Sequence, residues 1–225
     1  MAIRYEQATE AYLAKALENS ADVGSRGIEG QTPLHIASDR GYTGIVRSLI
    51  DDRDADPNAE NAGRETPLTL ASKSGRAEVV GVLLARRADP NHQDRGGWTP
   101  LHNASQKGHS DVVRLLLDPV QAPVANVNAQ DLNHNTPLHI ASFHGKTAVV
   151  TKLLERGATL DARDRQGGTA LHDAAQGGHL EVVRLLLNRS ADSRARNRIG
   201  EMPFQVASRN NHTDVAQLLR EHAGE

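Results

Sequence analysis

The chain has 225 residues, and its 26 lysine and arginine residues nearly balance 28 aspartate and glutamate residues, for a net charge of −2. This balance gives no general attraction to nucleic acid or an anionic membrane, so we expect neither as a partner. No apolar run reaches the roughly 18 residues of a membrane span, and the N-terminal segment lacks the apolar core of a secretory signal. We therefore expect an intracellular protein, in the cytoplasm or nucleus. The absence of cysteine excludes disulfides and thiolate metal sites.

A six-residue phrase recurs along the chain. It reads TPLHIA from Thr32 and again from Thr136, and related phrases begin at Thr66, Thr99, Thr169 and Met202. These phrases begin 33 to 37 residues apart. A period in this range indicates an array of like supersecondary units that bury their apolar faces against one another. We predict one continuous domain over 1–225, with an N-terminal half repeat at 1–31, repeats that start near 32, 66, 99, 136 and 169, and a C-terminal cap repeat at 202–225.

The repeat that begins at Thr136 shows how one unit folds. Thr136 suits the N-cap of a helix and Pro137 its first position, where a missing N–H costs nothing. His139 is placed to reach back to Thr136 as in a capping box. Gly145 lies where a left-handed residue ends this helix, and the valine pair at 149–150 begins the apolar pattern of a second helix. The sequence predicts a helix-turn-helix unit in each repeat.

Turn-forming phrases such as ADPNHQDRGG follow the second helices, and they predict protruding hairpin-like loops. With the TPLH phrase, the closing glycine and these loops, the chain resembles ankyrin-repeat proteins over nearly all its length. The resemblance implies an all-α solenoid that acts as a protein-protein interaction scaffold. It further implies that a partner protein or peptide binds the concave surface formed by the loop tips and the first helices.

The sequence shows no catalytic, metal or cofactor motif, so we expect no enzyme activity and no cofactor. Seven of the eleven histidines have architectural places, because they belong to the TPLH phrase or follow the residue that ends the first helix. No histidine pair has the helical spacing with an acidic partner of a zinc hydrolase, and there is no phosphate-binding loop. An enzyme or small-molecule binder is the remote alternative.

A second alternative is that the array is a segment of a larger multidomain regulatory protein, where it acts as a sensor, spacer or autoinhibitory surface. A cut array would expose an apolar seam at its end. Arg209, Asn210 and Gln217 instead give the last repeat the polar character of a cap, which favours a genuine C-terminal end.

Four departures from the repeat are informative. Segment 118–125 is an insertion, which we interpret as a tolerated surface loop or, alternatively, a binding loop stiffened by prolines. The acidic segment 51–56 predicts a solvated turn rather than a metal site. Thr69 replaces the histidine of the phrase, and Gly81 interrupts the second helix of that repeat. We predict that amides in 66–90 exchange faster than those in 136–165.

The expected partner site is a central patch around two aromatic residues, Trp98 and Phe143, that the resemblance leaves exposed in adjacent repeats. Aromatic and arginine side chains are enriched at interface hot spots. The alternative is that Trp98 lies flat on its own loop and contributes to stability. The sequence predicts a partner-binding site made of Arg95, Trp98, Asn103, Gln106, Lys107, Leu132, Asn133, Asn135, Phe143 and His144. We expect a monomer, while noting that such a patch can also serve self-association.

Overall fold

In a computed structural model of the protein, residues 13, 23–118, 120 and 123–224 are described. Most of the predicted half repeat at 1–31 lies outside them. The chain divides into two compact units. Unit 1 comprises 1–103 and 115–125, and unit 2 comprises 104–114 and 126–225. The assignment of a single continuous domain stays a prediction.

Unit 1 is built from helices in pairs. A 3₁₀ turn at Ile28–Gly30 precedes the first pair. The helices that lie wholly in this unit are α1 Pro33–Arg40, α2 Thr43–Asp51, α3 Pro67–Lys73 and α4 Ala77–Ala85. Helix α1 packs on α2 within its repeat and on α3 of the next repeat, and α4 packs on both α3 and α2. First helices therefore stack on first helices, and second helices on second helices.

Unit 2 repeats the same arrangement. The division between the units falls within α5 Pro100–Lys107 and α6 Ser110–Leu116. The later helices are α7 Pro137–Phe143, α8 Thr147–Glu155, α9 Ala170–Gly177, α10 Leu180–Asn188, α11 Pro203–Arg209 and α12 Thr213–Ala223. Helix α9 packs on the first helices α7 and α11, while α10 packs on the second helices α8 and α12. The prediction of an all-α fold of paired helices is confirmed over the described residues.

The predicted capping box starts the first helices. The backbone N–H of Thr136 donates to Nδ1 of His139 at 3.2 Å, and Oγ1 of Thr136 lies 2.8 Å from the same nitrogen. Nε2 of His139 donates to the carbonyl of Gly168 in the next loop, at 3.4 Å. His139 is buried, and its neutral form satisfies both ring nitrogens. One side chain thus caps its own helix and joins it to the following repeat.

A left-handed residue ends the first helices, as predicted. Gly145 has φ of 66°, and Asn211 takes the corresponding place in the last repeat with φ of 63°. Glycine pays no Cβ penalty in this region, and asparagine tolerates it better than most residues. The chain therefore turns sharply enough for the second helix to run back along the first.

The core of each unit consists of the leucine of the TPLH phrase and the apolar pairs of the second helices. Leu138 and the pair Val149 and Val150 are buried in unit 2, and Leu68 with Val79 and Val80 is buried in unit 1. Complete burial of such a side chain contributes roughly 1.5–3 kcal/mol. This repeated burial stabilises the fold without disulfides.

An ion pair holds the start of the acidic segment 51–56. Nε and Nη2 of Arg86 donate to the two carboxylate oxygens of Asp51 at 2.7 and 2.6 Å, and this contact lowers the pKa of Asp51. The N–H of Ala55 donates to the carbonyl of Leu49 at 3.0 Å. These contacts hold the segment that follows α2 in place.

The repeat around Thr69 lacks one contact between repeats. Oγ1 of Thr69 lies 3.1 Å from Oγ1 of Thr66, which keeps the helix start closed. In the described part of the chain, Thr69 makes no hydrogen bond to the following loop, whereas Nε2 of His35 donates to the carbonyl of Glu65 at 3.0 Å. The faster amide exchange of this repeat stays a prediction. The absent hydrogen bond from Thr69 to the following loop is a cause in addition to Gly81.

Candidate functional site

From Asn61 onward, each loop tip is a turn organised by one Asp or Asn side chain. Oδ1 of Asp131 accepts the backbone N–H groups of Asn133 and Asn135, both at 2.8 Å. Its carboxylate is buried in this role. Asn197 does the same two repeats later, where its Oδ1 accepts from Ile199 at 3.2 Å and Glu201 at 2.9 Å. These turns hold the tips rigidly and leave their outer side chains directed away from the core.

Neighbouring tips of unit 2 are joined by backbone hydrogen bonds. The N–H of Arg165 donates to the carbonyl of Asn133, and the N–H of Arg198 donates to the carbonyl of Gln166, both at 2.8 Å. Tips 132–134, 165–167 and 198–200 therefore lie side by side. With the first helices α7, α9 and α11 they form one surface, which we call the tip face of unit 2.

Three residues of the predicted central patch belong to unit 1. Arg95 is exposed, and Trp98 is half-buried with its ring centroid 5.9 Å from that of His102. Asn103, which we expected on the exposed side of its helix, is instead only 5% exposed. Its amide donates to the carbonyl of Thr99 at 3.3 Å. Asn103 is thus occupied within its own helix, and its place in an exposed patch is corrected.

The other members of the predicted patch belong to unit 2. Leu132 is 61% exposed and Phe143 is 40% exposed. The rest range from half-buried to fully exposed: Gln106, Lys107, Asn133, Asn135 and His144. Because Trp98 and Phe143 lie in different units, their pairing in one patch stays a prediction.

Phe143 contacts two histidines of unit 2. Its ring meets the ring of His144 edge to face, with centroids 5.2 Å apart, and its carbonyl accepts from Nε2 of His179 at 2.8 Å. Desolvation lowers the pKa of His144, and the positive charges of Lys146, His179 and Lys107 lower it further. This end of the tip face therefore combines one exposed aromatic ring with positive charge.

A cavity of about 550 Å³ opens on the tip face at the last two repeats of unit 2. Its lining comes from two loops and two first helices, through Asp164, Arg165, Gln166, Gly168, His172, Asp173, Gln176, Asn197, Arg198, Ile199, Val206 and Arg209. From the sequence we expected the partner site at the central patch and not here. The sequence does contain a signal for this site. Arginines recur at tip and first-helix positions of these repeats, at Arg165, Arg198 and Arg209.

The carboxyl group of Asp173 lies in the lining of the cavity, where the residue is half-buried. Burial raises the pKa of Asp173 well above its ordinary range, and the neighbouring charge of Asp164 raises it further. Asp164 itself is used by its own turn, since its Oδ1 accepts from the N–H of Gly168 at 2.7 Å. Asp173 therefore holds its proton to a higher pH than an ordinary aspartate, and the protonated group can donate a hydrogen bond.

Two further polar groups of the cavity, those of Arg209 and His172, contact Glu201. Nη1 of Arg209 lies 3.0 Å from its carboxylate, and Nε2 of His172 donates to its backbone carbonyl at 3.1 Å. Burial lowers the pKa of His172, so its neutral form is favoured. Within the described parts of the chain, no group of three or more histidine, aspartate and glutamate residues is placed to hold a metal ion.

The fold and this surface define a class: a helical repeat protein in which short helix pairs stack and present their connecting loops along one side. The family model for "Ankyrin repeats (3 copies)" matches residues 2–94, 83–164 and 159–225, which together cover almost the whole chain. The chain belongs to the ankyrin-repeat family. Among curated proteins, none matches it. In the part of the chain that the structure describes, no helix is both long and apolar enough to cross a membrane.

Proposed function

We propose that this protein is an interaction module, which binds a partner protein or an extended peptide along the loop tips and first helices and performs no catalysis. Ankyrin repeats are generally protein-protein interaction modules, and this chain consists of them. In this chain, the binding surface is the tip face of unit 2.

The observation that carries the proposal is the contrast between repeated buried positions and varied exposed ones. The TPLH positions Thr136, Leu138 and His139 are buried, as are their counterparts Thr169, Leu171 and His172. The corresponding tip positions hold an exposed leucine, Leu132, in one repeat and exposed arginines, Arg165 and Arg198, in the next two. Packing explains why the first set recurs. It does not explain the second, which is free to match a partner.

The test compares what three forms of the chain retain from a cell extract, after chemical cross-linking and quantitative mass spectrometry. The first is the intact chain. The second replaces three exposed tip residues with serine, at Leu132, Arg165 and Ile199. The third is a control that replaces three exposed residues of second helices with serine, at Glu155, Arg184 and Gln217. Circular dichroism and urea denaturation establish that all three are folded.

We expect partners that bind the intact chain and the control but are lost from the tip variant. Partners retained equally by all three forms would contradict the proposal, because the tip residues would then be irrelevant. A Trp98→Ala, Phe143→Ala variant run alongside tests the central patch separately. If it loses the same partners, the site extends to those aromatic residues.

A further inference from the structure

Two arginine side chains at the cavity of unit 2 are available to a ligand. The guanidinium groups of Arg165 and Arg198 have no ion-pair or hydrogen-bond partner among the described residues, and both side chains are exposed. Their backbones are fixed, since the N–H of each donates to the preceding tip. Two unpaired guanidinium groups on a rigid support favour binding of carboxylates, which accept two parallel hydrogen bonds from one arginine.

The carboxyl groups at the cavity either have other partners or are less charged than an ordinary carboxylate. The carboxylate of Asp164 accepts from its own turn, and Glu201, which is not part of the lining, forms an ion pair with Arg209 of the lining. The raised pKa of Asp173 suppresses its charge relative to an ordinary aspartate. Unit 2 as a whole has 14 lysine and arginine residues against 12 aspartate and glutamate residues, although the complete chain has a net charge of −2. The local balance is positive.

The cavity also has an apolar part. Ile199 is 73% exposed at a tip, and Val206 of α11 contributes to the lining. An exposed isoleucine next to unpaired arginines matches a ligand that carries apolar and acidic side chains in one short segment. No phenylalanine, tyrosine or tryptophan ring, on which the bases of single-stranded nucleic acid stack, contributes to the lining, and the His172 ring is buried. These features favour a peptide over a nucleic acid.

We infer that the cavity between loops 164–168 and 197–201 is a binding subsite for an acidic segment of a partner protein, whose carboxylates pair with Arg165 and Arg198 and whose apolar side chain contacts Ile199. The inference rests on the proposed function, because it names the partner chemistry of the same face. The partner segment lies across two adjacent tips and reaches the first helices α9 and α11.

The test uses a fluorescein-labelled peptide that alternates leucine and glutamate, with fluorescence anisotropy as the readout. A peptide with glutamine in place of glutamate is the neutral comparison. We expect at least about tenfold tighter binding of the glutamate peptide and a decrease in its affinity as salt is raised, since the pairing is electrostatic.

Arg165→Gln, Arg198→Gln is the variant, and Arg114→Gln, Arg189→Gln is its matched control. The control removes the same charge from exposed arginines of unit 2 outside the cavity. We expect the cavity variant to lose at least about tenfold in affinity and the control to stay within about twofold. Both substitutions lie at exposed positions, and thermal unfolding establishes that both proteins are folded.

Three results would overturn the inference. They are equal affinity for the two peptides, equal loss in both variants, and no saturable binding of the glutamate peptide up to about 1 mM. Tighter binding of a labelled single-stranded oligonucleotide would also overturn it, in favour of a phosphate ligand. If cross-linked partners depend on the tip residues while the two peptides bind equally, the acidic-segment inference fails and the proposed function stands. If capture does not depend on the tips, the proposed function itself fails.

Discussion

The imidazole of His179 lies against Gly145, the residue that ends the first helix of the preceding repeat. A Cβ at Gly145 would come within 2.5 Å of Nδ1 of His179, and Nε2 of the same ring donates to the carbonyl of Phe143 at 2.8 Å. Unit 1 contains the same relationship between Arg76 and Gly41, where Nε of Arg76 donates to the carbonyl of Asp39 at 2.9 Å. Glycine is therefore required at this position for two reasons. Its backbone is left-handed, and the side chain that packs on it leaves no room for a Cβ.

Gly145→Ala should destabilise the protein strongly. Its φ of 66° alone costs an alanine about 1–2 kcal/mol, and the new Cβ would displace the His179 ring from its hydrogen bond. Urea denaturation of Gly145→Ala, His179→Ala and the double variant separates the two causes. We expect the double variant to lose less than the sum of the single variants, because removal of the ring relieves the contact. Strict additivity would show that only the backbone conformation matters.

Gly81→Ala should stabilise the protein by roughly 1 kcal/mol. Gly81 lies inside α4 and has no positive φ, and apart from the adjoining backbone of α4 no atom of the described residues lies within 4 Å of where its Cβ would be. Alanine lowers the conformational entropy of the unfolded chain and favours the helix. Hydrogen exchange should show slower exchange of amides in 66–90 in the variant, with 136–165 unchanged. A variant whose exchange in 66–90 is unaltered would mean that the missing histidine at Thr69, rather than the glycine, controls this repeat.

Ser142→Ala should be neutral or stabilising, by up to about 1 kcal/mol. The hydroxyl of Ser142 is buried and has no hydrogen-bond partner among the described residues, so folding removes it from water without compensation. Ala175 occupies the corresponding buried position in the next repeat, which shows that the space suits alanine. The measurement is the midpoint of urea denaturation. A clear loss of stability would indicate that the hydroxyl makes a hydrogen bond to buried water.

Folding stability should decrease as the pH falls below 6.5, and His139→Gln should reduce that decrease. Burial lowers the pKa of His139, so in this window the unfolded chain binds a proton that the folded chain resists. Protonation would place a second N–H against the backbone N–H of Thr136, which donates to Nδ1. Gln205 fills this position in the last repeat and accepts from the N–H of Met202 at 2.8 Å, so glutamine preserves the cap.

The experiment is urea denaturation between pH 8 and pH 5. Near pH 8 the difference in the free energy of unfolding between the variant and the parent protein should not change with pH. His139 is neutral there in both the folded and the unfolded state. Below pH 6.5 the variant should lose less stability than the parent. The remaining slope reflects His35 and His172, whose pKa values burial also lowers. An identical slope in both proteins would contradict the assignment of this pH dependence to His139.

The sequence alone determined the helix pairs and their ends. The cap at Thr136, the capping box with His139 and the left-handed Gly145 depend on residues within one or two helical turns of one another, so their spacing along the chain is sufficient. The period of the repeat likewise determined which helices stack, because each unit must bury its apolar face on its neighbours. Exposure of tip residues such as Leu132 followed from the same argument.

Only the tertiary structure decided the contacts that join repeats and the shape of the surface. His179 covers Gly145 from 34 residues away, a relationship that depends on how two helix pairs are rotated against each other. Asn103 is only 5% exposed in the assembled repeats, although its position in the first helix led us to expect it on the exposed side. The burial of Asp173 in a cavity depends on side chains from four separate segments. Desolvation and close packing are properties of the assembled repeats, and no local spacing specifies them.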